Sequence, residues 1–345
     1  MNLTFLTKYS SNGASSRYRY FLYISSLIQK DLNLEVSNFF DSSYLDLTYN
    51  KKRSYYHIFL SYLNRYLVLL NSAKFLVIEY EAFPYLPYFI ESFLLRNKKY
   101  VLNIDDNIWD KYKNNVFLKN KYDKLSINSS GIIVANDYLF NKVKKLNNNI
   151  IKIPTALDTS LYHFTDRKKK YEKFSLVWIG TNITYKYIES HSSVFSKLTS
   201  KIDYQLVIIA SKVLEKKAID GVDMVFYDWS SEIEAQILSK SHVGIMPLDD
   251  DNFSKGKSAF KLIQYMSSGL PLVASCIGEN KSVVKDGQNG FLVTNEIEWL
   301  ESIQKLYYDT NLYSEFSLES KELSGNYSMN KYKDKYYNFL RNSFL

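Results

Sequence analysis

The stretch VGIMPLDDDNFSKGKSAFKLIQYMSSGLPLVAS, residues 243–275, decides the fold. It opens on a short apolar run, passes through an acidic and basic loop, and enters a segment of helical periodicity. Gly269 and Pro271 follow, and then another apolar run. Strand, loop, helix, strand is the repeating unit of a parallel α/β sheet. Gly256, Lys257 and Ser258 stand just before the helix, whose free N–H groups and dipole favour an anion. Lys261 and Gln264, three apart, share one helix face near that start. A cationic, hydrogen-bonding helix start beside strand ends suits a diphosphate and its ribose.

Outward from this stretch the same alternation fills the chain. FSLVWIG (174–180), YQLVIIAS (204–211), DMVFYD (223–228) and NGFLV (289–293) join VGIMPL (243–248) and LPLVAS (270–275) as six strands of the second half. NLTFLT (2–7), FLVIEYE (75–81), KYVLNID (99–105) and GIIVAN (131–136) are strands of the first half, with helical stretches at 19–32 and 54–71 between them. The polar stretch TDRKKKYEK (165–173) reads as a linker. The expected organisation is an N-terminal Rossmann-like, acceptor-side domain at 1–162, a linker at 163–173, and a C-terminal Rossmann-like, nucleotide-sugar-binding domain at 174–329. The amphipathic final helix, about 330–345, is placed to pack back on the first domain. Two such units imply a cleft facing the carboxyl ends of their strands.

A chain of 345 residues suits two cores of roughly 150 residues each. Its single cysteine, Cys276, excludes an internal disulfide and a multi-cysteine metal site, and fits a reducing cytosol. MNLTFLTKYSSNG (1–13) reads as a first strand, not a signal peptide. The most membrane-like segment, 75–95, carries Glu79, Glu81, Glu91, Pro84 and Pro87 and does not read as a membrane-spanning helix. GKS at 256–258 lacks the earlier glycine of a P-loop, since position 251 is Asp251. No G-x-G-x-x-G follows the first strand, and His57, His163, His191 and His242 lack metal-ligand spacing. The net charge of +8 is clustered at 51–53, 96–99, 142–145 and 167–170, which favours an anionic partner; solvated loops and helix ends are the alternative.

KSAFKLIQYMSSGLPLVASCIGENKSVVKDGQNGFLV (257–293) resembles the donor-binding region of retaining GT-B glycosyltransferases of family 4. SSRYRYFLYI (15–24), YVLNIDDNIWDKY (100–112), IIVANDYLFNKV (132–143), IPTALDT (153–159) and WIGTNITYKYI (178–188) resemble further segments of that family, in order. The resemblance implies an α/β GT-B architecture with two Rossmann-like parallel-sheet domains facing a central cleft. It implies sugar transfer from a nucleoside-diphosphate sugar to a hydroxyl acceptor, with retention and with no metal or other cofactor. The family's paired glutamates fall on Gly256 and Gln264, and its N-domain histidine on Asp105. Gln264 can still accept from a ribose hydroxyl through its amide oxygen; Gly256 replaces no carboxylate, and the run Asp249 to Asp251 is the substitute considered.

The expected donor site comprises Gly180, Thr181, Asn182, Lys257, Ser258 and Gln264, with Tyr227 and Trp229 where the family holds its base. Lys186 and Lys261 are expected to stabilise the departing diphosphate, with Asp106 as the third catalytic candidate. Arg17, Arg19, Asp105 and Trp109 are expected on the acceptor or sugar side. Plain alternatives stand beside these: a surface lysine at 186, helix capping by Asp105 and Asp106, and surface ion pairs for the arginines. Glu232 belongs to a capping arrangement. The expected partners are a nucleotide sugar, a glycan or lipid-linked glycan of bacterial surface polysaccharide synthesis, and an anionic membrane surface, with no nucleic acid. The expected place is the cytoplasm, peripheral at the inner face of the cytoplasmic membrane. Helix 54–71, with five aromatic residues beside leucines, suits the lipid interface, or else packs its apolar face on the sheet. A catalytically silent GT-B domain acting as a partner or scaffold, a GT-B sugar-nucleotide epimerase and an inverting transferase are the competing functions.

Overall fold

The apolar runs assemble into two parallel sheets of six strands in the computed structural model, which describes residues 1–30, 32–41, 44, 54–210 and 212–345. The basic triplet at 51–53 lies outside the described residues. The chain divides into two units, the first comprising Met1–Leu157, Gly256–Ser258 and Met329–Leu345, the second Asp158–Lys255 and Ala259–Ser328.

In the first unit the strands are β1 (Asn2–Tyr9), β2 (Asn33–Phe40), β3 (Phe75–Glu79), β4 (Lys99–Ile104), β5 (Gly131–Val134) and β6 (Ile150–Lys152). Their spatial order is β2-β1-β3-β4-β5-β6, all parallel. Strands buried on both faces read as continuous apolar runs. Leu6, Leu76, Ile78, Leu102 and Ile132 fall in one core, whereas Phe5, Val77, Val101 and Ile133 fall in another. That alternation assigns the two cores to opposite faces of one sheet. The first core takes in Leu69, Leu125 and Leu139 from helices; the second takes in Tyr20, Tyr23 and, from the helix Met329–Phe344, Tyr336 and Leu340. The last helix is held by Tyr336 stacked on Tyr23 (4.6 Å) and by Lys99 Nζ donating to the Phe344 carbonyl at 3.1 Å. β2, NLEVSNFF, was not among the strands read from the sequence. It is an edge strand with polar residues at alternate positions, so it lacks the apolar run of a central one.

In the second unit the strands are β7 (Phe174–Ile179), β8 (Tyr204–Ile209), β9 (Met224–Tyr227), β10 (Val243–Met246), β11 (Leu272–Ser275) and β12 (Gly290–Val293). The order β12-β11-β10-β7-β8-β9 is that of a doubly wound sheet, and the direction of winding reverses between β7 and β10. Ligands of such sheets bind outside the carboxyl ends of the strands at that reversal. Residues 163–173, read as a linker, fall within this second unit. The Arg167 guanidinium lies 4.5 Å from the Tyr313 ring centre, and Lys170 Nζ donates to the Ser241 carbonyl at 2.7 Å. Lys170 is therefore no solvated loop lysine: it is buried, and burial pulls its pKa down to about 7.

Candidate functional site

In the second unit the site is built on the reversal point. Gly180 follows the last residue of β7, and a Cβ there would lie 2.0 Å from the indole of Trp178, which is wholly buried. Only glycine lets that ring fold across the strand end. Lys261, on the helix Phe260–Ser267, places its ammonium 4.3 Å from the centre of the Trp178 ring. One indole thus brings the Gly180 turn and Lys261 together, although 81 positions separate them in sequence (261 − 180). The helix is pinned here because Tyr265 Oη accepts from the Ile179 N–H at 2.9 Å and its ring fills the space over Gly244.

Beyond Gly180 the chain makes a turn before the short helix Lys186–Ser190. The Thr181 N–H donates to Thr184 Oγ1 at 3.0 Å, so this expected donor amide is engaged inside the turn. Asn182 Oδ1 is buried with no hydrogen-bond partner. Lys186 is exposed, its ammonium 4.8 Å from the Tyr187 ring centre.

Gln264, only 3% exposed, turns Nε2 towards Glu234 Oε1. Tyr162 Oη donates to the same oxygen at 2.7 Å, and Trp229 Nε1 donates to Oε2 at 2.6 Å. Glu234 is 4% exposed and went unnoticed in the sequence. Its signal was there: it lies three and four positions before the buried Ile237 and Leu238, an acid on the inward stripe of the helix Ser231–Lys240. Ser230 caps that helix by accepting from the Ile233 N–H at 3.2 Å, with Glu232 in its first turn. Tyr227 Oη accepts from Tyr171 at 3.2 Å.

The acids at 249–251 are engaged locally. Asp249 accepts from Ser190, Asp250 pairs with Lys255 at 2.7 Å, and Asp251 accepts from the Ser254 N–H at 2.6 Å. Among the described residues, no group of three His, Cys, Asp or Glu could hold a metal ion. A cavity of about 390 Å³ opens near the ends of β10, β11 and β12, lined among others by His191, Asp250, Cys276, Glu296 and Trp299. None of the expected donor residues lines it.

In the first unit Asp105 and Asp106 follow β4. Tyr80, with a left-handed backbone (φ 61°), donates to Asp105 Oδ1. Burial and then the neighbouring Asp105 push the Asp106 pKa up to about 6. Trp109 is a core residue donating to Asp123 at 2.6 Å. Arg19 is 2% exposed, donating to Asn103 Oδ1 (2.9 and 2.6 Å) and to the Ile153 carbonyl (2.6 Å). Its guanidinium ties β4 to the segment after β6, a framework role that replaces the surface ion pair considered for it. Arg17 is partly exposed and donates to the Ser11 carbonyl at 2.8 Å. Glu79, read only as an obstacle to a membrane span, organises the first loop: it accepts from Lys8 N–H (2.7 Å), Ser15 (2.7 Å) and Ser16 (2.6 Å). Gly256 and Lys257 accept through their carbonyls from Asn136 Nδ2 at 3.1 and 3.2 Å. Ser258 belongs to the same three-residue piece of the first unit.

Residues 173–309 match the family described as glycosyl transferases group 1. No curated protein matches the chain. Among solved structures, Anabaena HepE in complex with UDP and glucose superposes with a TM-score of 0.69 at 12% identity, covering 99% of this chain and 100% of that one. Sucrose-phosphate synthase from Thermosynechococcus elongatus gives 0.67 at 13% identity, covering 100% and 99%. A point mutant of S. aureus TarM, in complex with Fondaparinux, alpha-GlcNAc-glycerol and UDP, gives 0.60 at 17% identity over 81% of this chain, which spans 58% of that one. The likeness, with two six-stranded parallel α/β sheets, makes this a GT-B fold.

Proposed function

We propose that the chain is a glycosyltransferase that moves a sugar from a nucleoside-diphosphate sugar to a hydroxyl, with retention of configuration. The observation that carries this reading is the group 1 match at 173–309, which contains Gly180, Lys186, Lys261 and Gln264. The gathering of Gly180 and Lys261 around Trp178 at the sheet reversal supports it. In this reading Lys186 and Lys261 stabilise charge developing on the leaving diphosphate, and no metal is required. Gln264 takes a ribose hydroxyl, and Tyr227 and Trp229 flank the base. In the first unit Asp105 and Asp106 serve the sugar and acceptor, with Arg17 beside the first loop. The acceptor is a glycan or lipid-linked glycan of bacterial surface polysaccharide synthesis, met at an anionic membrane surface on the cytoplasmic side. Because HepE and the TarM mutant were both crystallised with UDP, UDP-sugars are the first donors to test.

One observation favours a catalytically silent domain instead. A Cβ at Gly256 would lie 2.4 Å from Asn107 Cβ, so no carboxylate fits where the resembling family has its first glutamate. Release of UDP from a panel of UDP-sugars, with and without glycan acceptors, separates the two readings. For the enzyme, Lys186→Ala and Lys261→Ala should each lower turnover by roughly ten- to a thousandfold. Nucleotide binding without any turnover in the wild type would establish the silent domain.

A further inference from the structure

Gln264 and Glu234 form a buried pair whose chemistry goes beyond the donor site as read from the sequence. A carboxylate has only acceptors, so the amide of Gln264 must turn its NH₂ towards Glu234. The other end of the amide, Oε1, is then an acceptor fixed in direction. Glu234 is itself held by two further neutral donors, Tyr162 and Trp229. Among the described residues it forms no ion pair with a Lys or Arg. A second carboxylate at 264 would meet the first in a buried place where Glu234 itself has no ion-pair partner among the described residues.

We propose that Glu234 is the positioning residue of the donor site, orienting Gln264 so that its amide oxygen accepts from a ribose hydroxyl. A carboxylate–amide pair then stands where the resembling family has one glutamate. The proposal rests on the donor-site reading above, and it explains why position 264 carries an amide: the negative charge has been moved one layer back, onto Glu234. Restoring the family's residue by Gln264→Glu alone should therefore be harmful, not beneficial.

The test measures affinity for UDP and for 2′,3′-dideoxyuridine diphosphate by titration calorimetry on wild type, Gln264→Glu, Gln264→Leu, Glu234→Gln and the double variant Glu234→Gln/Gln264→Glu. Thermal melts confirm that each variant folds. The wild type should prefer UDP by about tenfold, the size of one hydrogen bond to a neutral group. Gln264→Leu should erase that preference, and Glu234→Gln, which frees the amide to turn over, should reduce it severalfold. Gln264→Glu should melt lower than wild type and bind UDP at least tenfold more weakly, whereas the double variant should recover both properties. A double variant no better than Gln264→Glu, or a Gln264→Glu protein equal to wild type in melting and affinity, would overturn the proposal. So would a wild type that binds UDP and its dideoxy analogue equally. A wild type that binds none of UDP, GDP or ADP would refute the donor-site reading itself. The melting comparison of Gln264→Glu with the double variant would still decide whether the pair is charge-coupled.

Discussion

Asp106 shows how one residue ties folding to chemistry. Its folded pKa, about 6, lies above the ordinary aspartate value because burial and Asp105 disfavour its charge. A raised carboxyl pKa means that the native state holds a proton which the unfolded chain has released. The stability linked to that proton is fully present below the unfolded pKa and is lost as pH rises through about 6. Asp106→Asn removes the penalty, so at pH 7.5 its Tm should exceed that of wild type by a few degrees, with the difference vanishing near pH 4. Calorimetric scans across that range check the sign. Activity should fall in the same variant if Asp106 acts on sugar or acceptor, the usual conflict between stability and function. At Gly180 the constraint is steric. Gly180→Ala drives a methyl group into the buried Trp178 indole and should cost about 1–3 kcal/mol in denaturant unfolding, as overpacking does. An unchanged midpoint would show that the indole can move aside.

Elements in the first unit carry a surface of a different kind. The helix Tyr55–Asn71 buries little beyond Arg65 and Leu69, while Tyr55, Phe59, Leu63, Tyr66 and Leu70 stay exposed. Part of the apolar face packs on the sheet, with Leu69 in the first core and Tyr62 and Val68 against it, while these exposed side chains stay outside that contact. The adjacent helix Tyr88–Leu95 adds exposed Phe89 and Phe93, and the Arg96 guanidinium lies 4.5 Å from the Phe93 ring centre. Exposed apolar patches of this extent mark interaction sites, and aromatic residues beside cations suit the headgroup level of a bilayer. No helix among the described residues is long and apolar enough to cross a membrane. The chain should sediment with anionic vesicles, bind neutral ones poorly, and release in high salt. Phe59→Ser with Phe93→Ser should weaken vesicle binding about tenfold or more without lowering Tm, since neither side chain is in the core. Equal binding by this variant would assign the patch to something other than lipid.

At the scale of the molecule, the first unit is discontinuous: it needs the last helix, Met329–Phe344, although the whole second unit intervenes in sequence. That helix covers one sheet face through Tyr336, Phe339, Leu340 and Phe344. Deleting residues 329–345 should expose Leu3, Val77 and Tyr23 and destabilise the first unit selectively. Limited proteolysis should then cut within residues 1–157 while 158–328 stays protected; cleavage spread evenly over both units would contradict this partition.

The sequence by itself determined the two parallel α/β sheets, because strands buried on both faces need continuous apolar runs and these are visible one at a time. It determined the reversal-point glycine and the lysine that shares its indole as candidates, because each sits at a recognisable strand end or helix start. It missed β2, whose edge position tolerates polar residues. Only the tertiary structure decided the fate of charges. Arg19 became a buried framework contact because Asn103 lies on a neighbouring element 84 residues away. Lys121 is enclosed between Glu81 and Glu91 at 2.6 and 2.8 Å, and Glu234 meets Gln264 from 30 residues upstream. A carboxylate's role depends on which donors surround it after folding, and no local pattern of apolar and polar residues encodes that company.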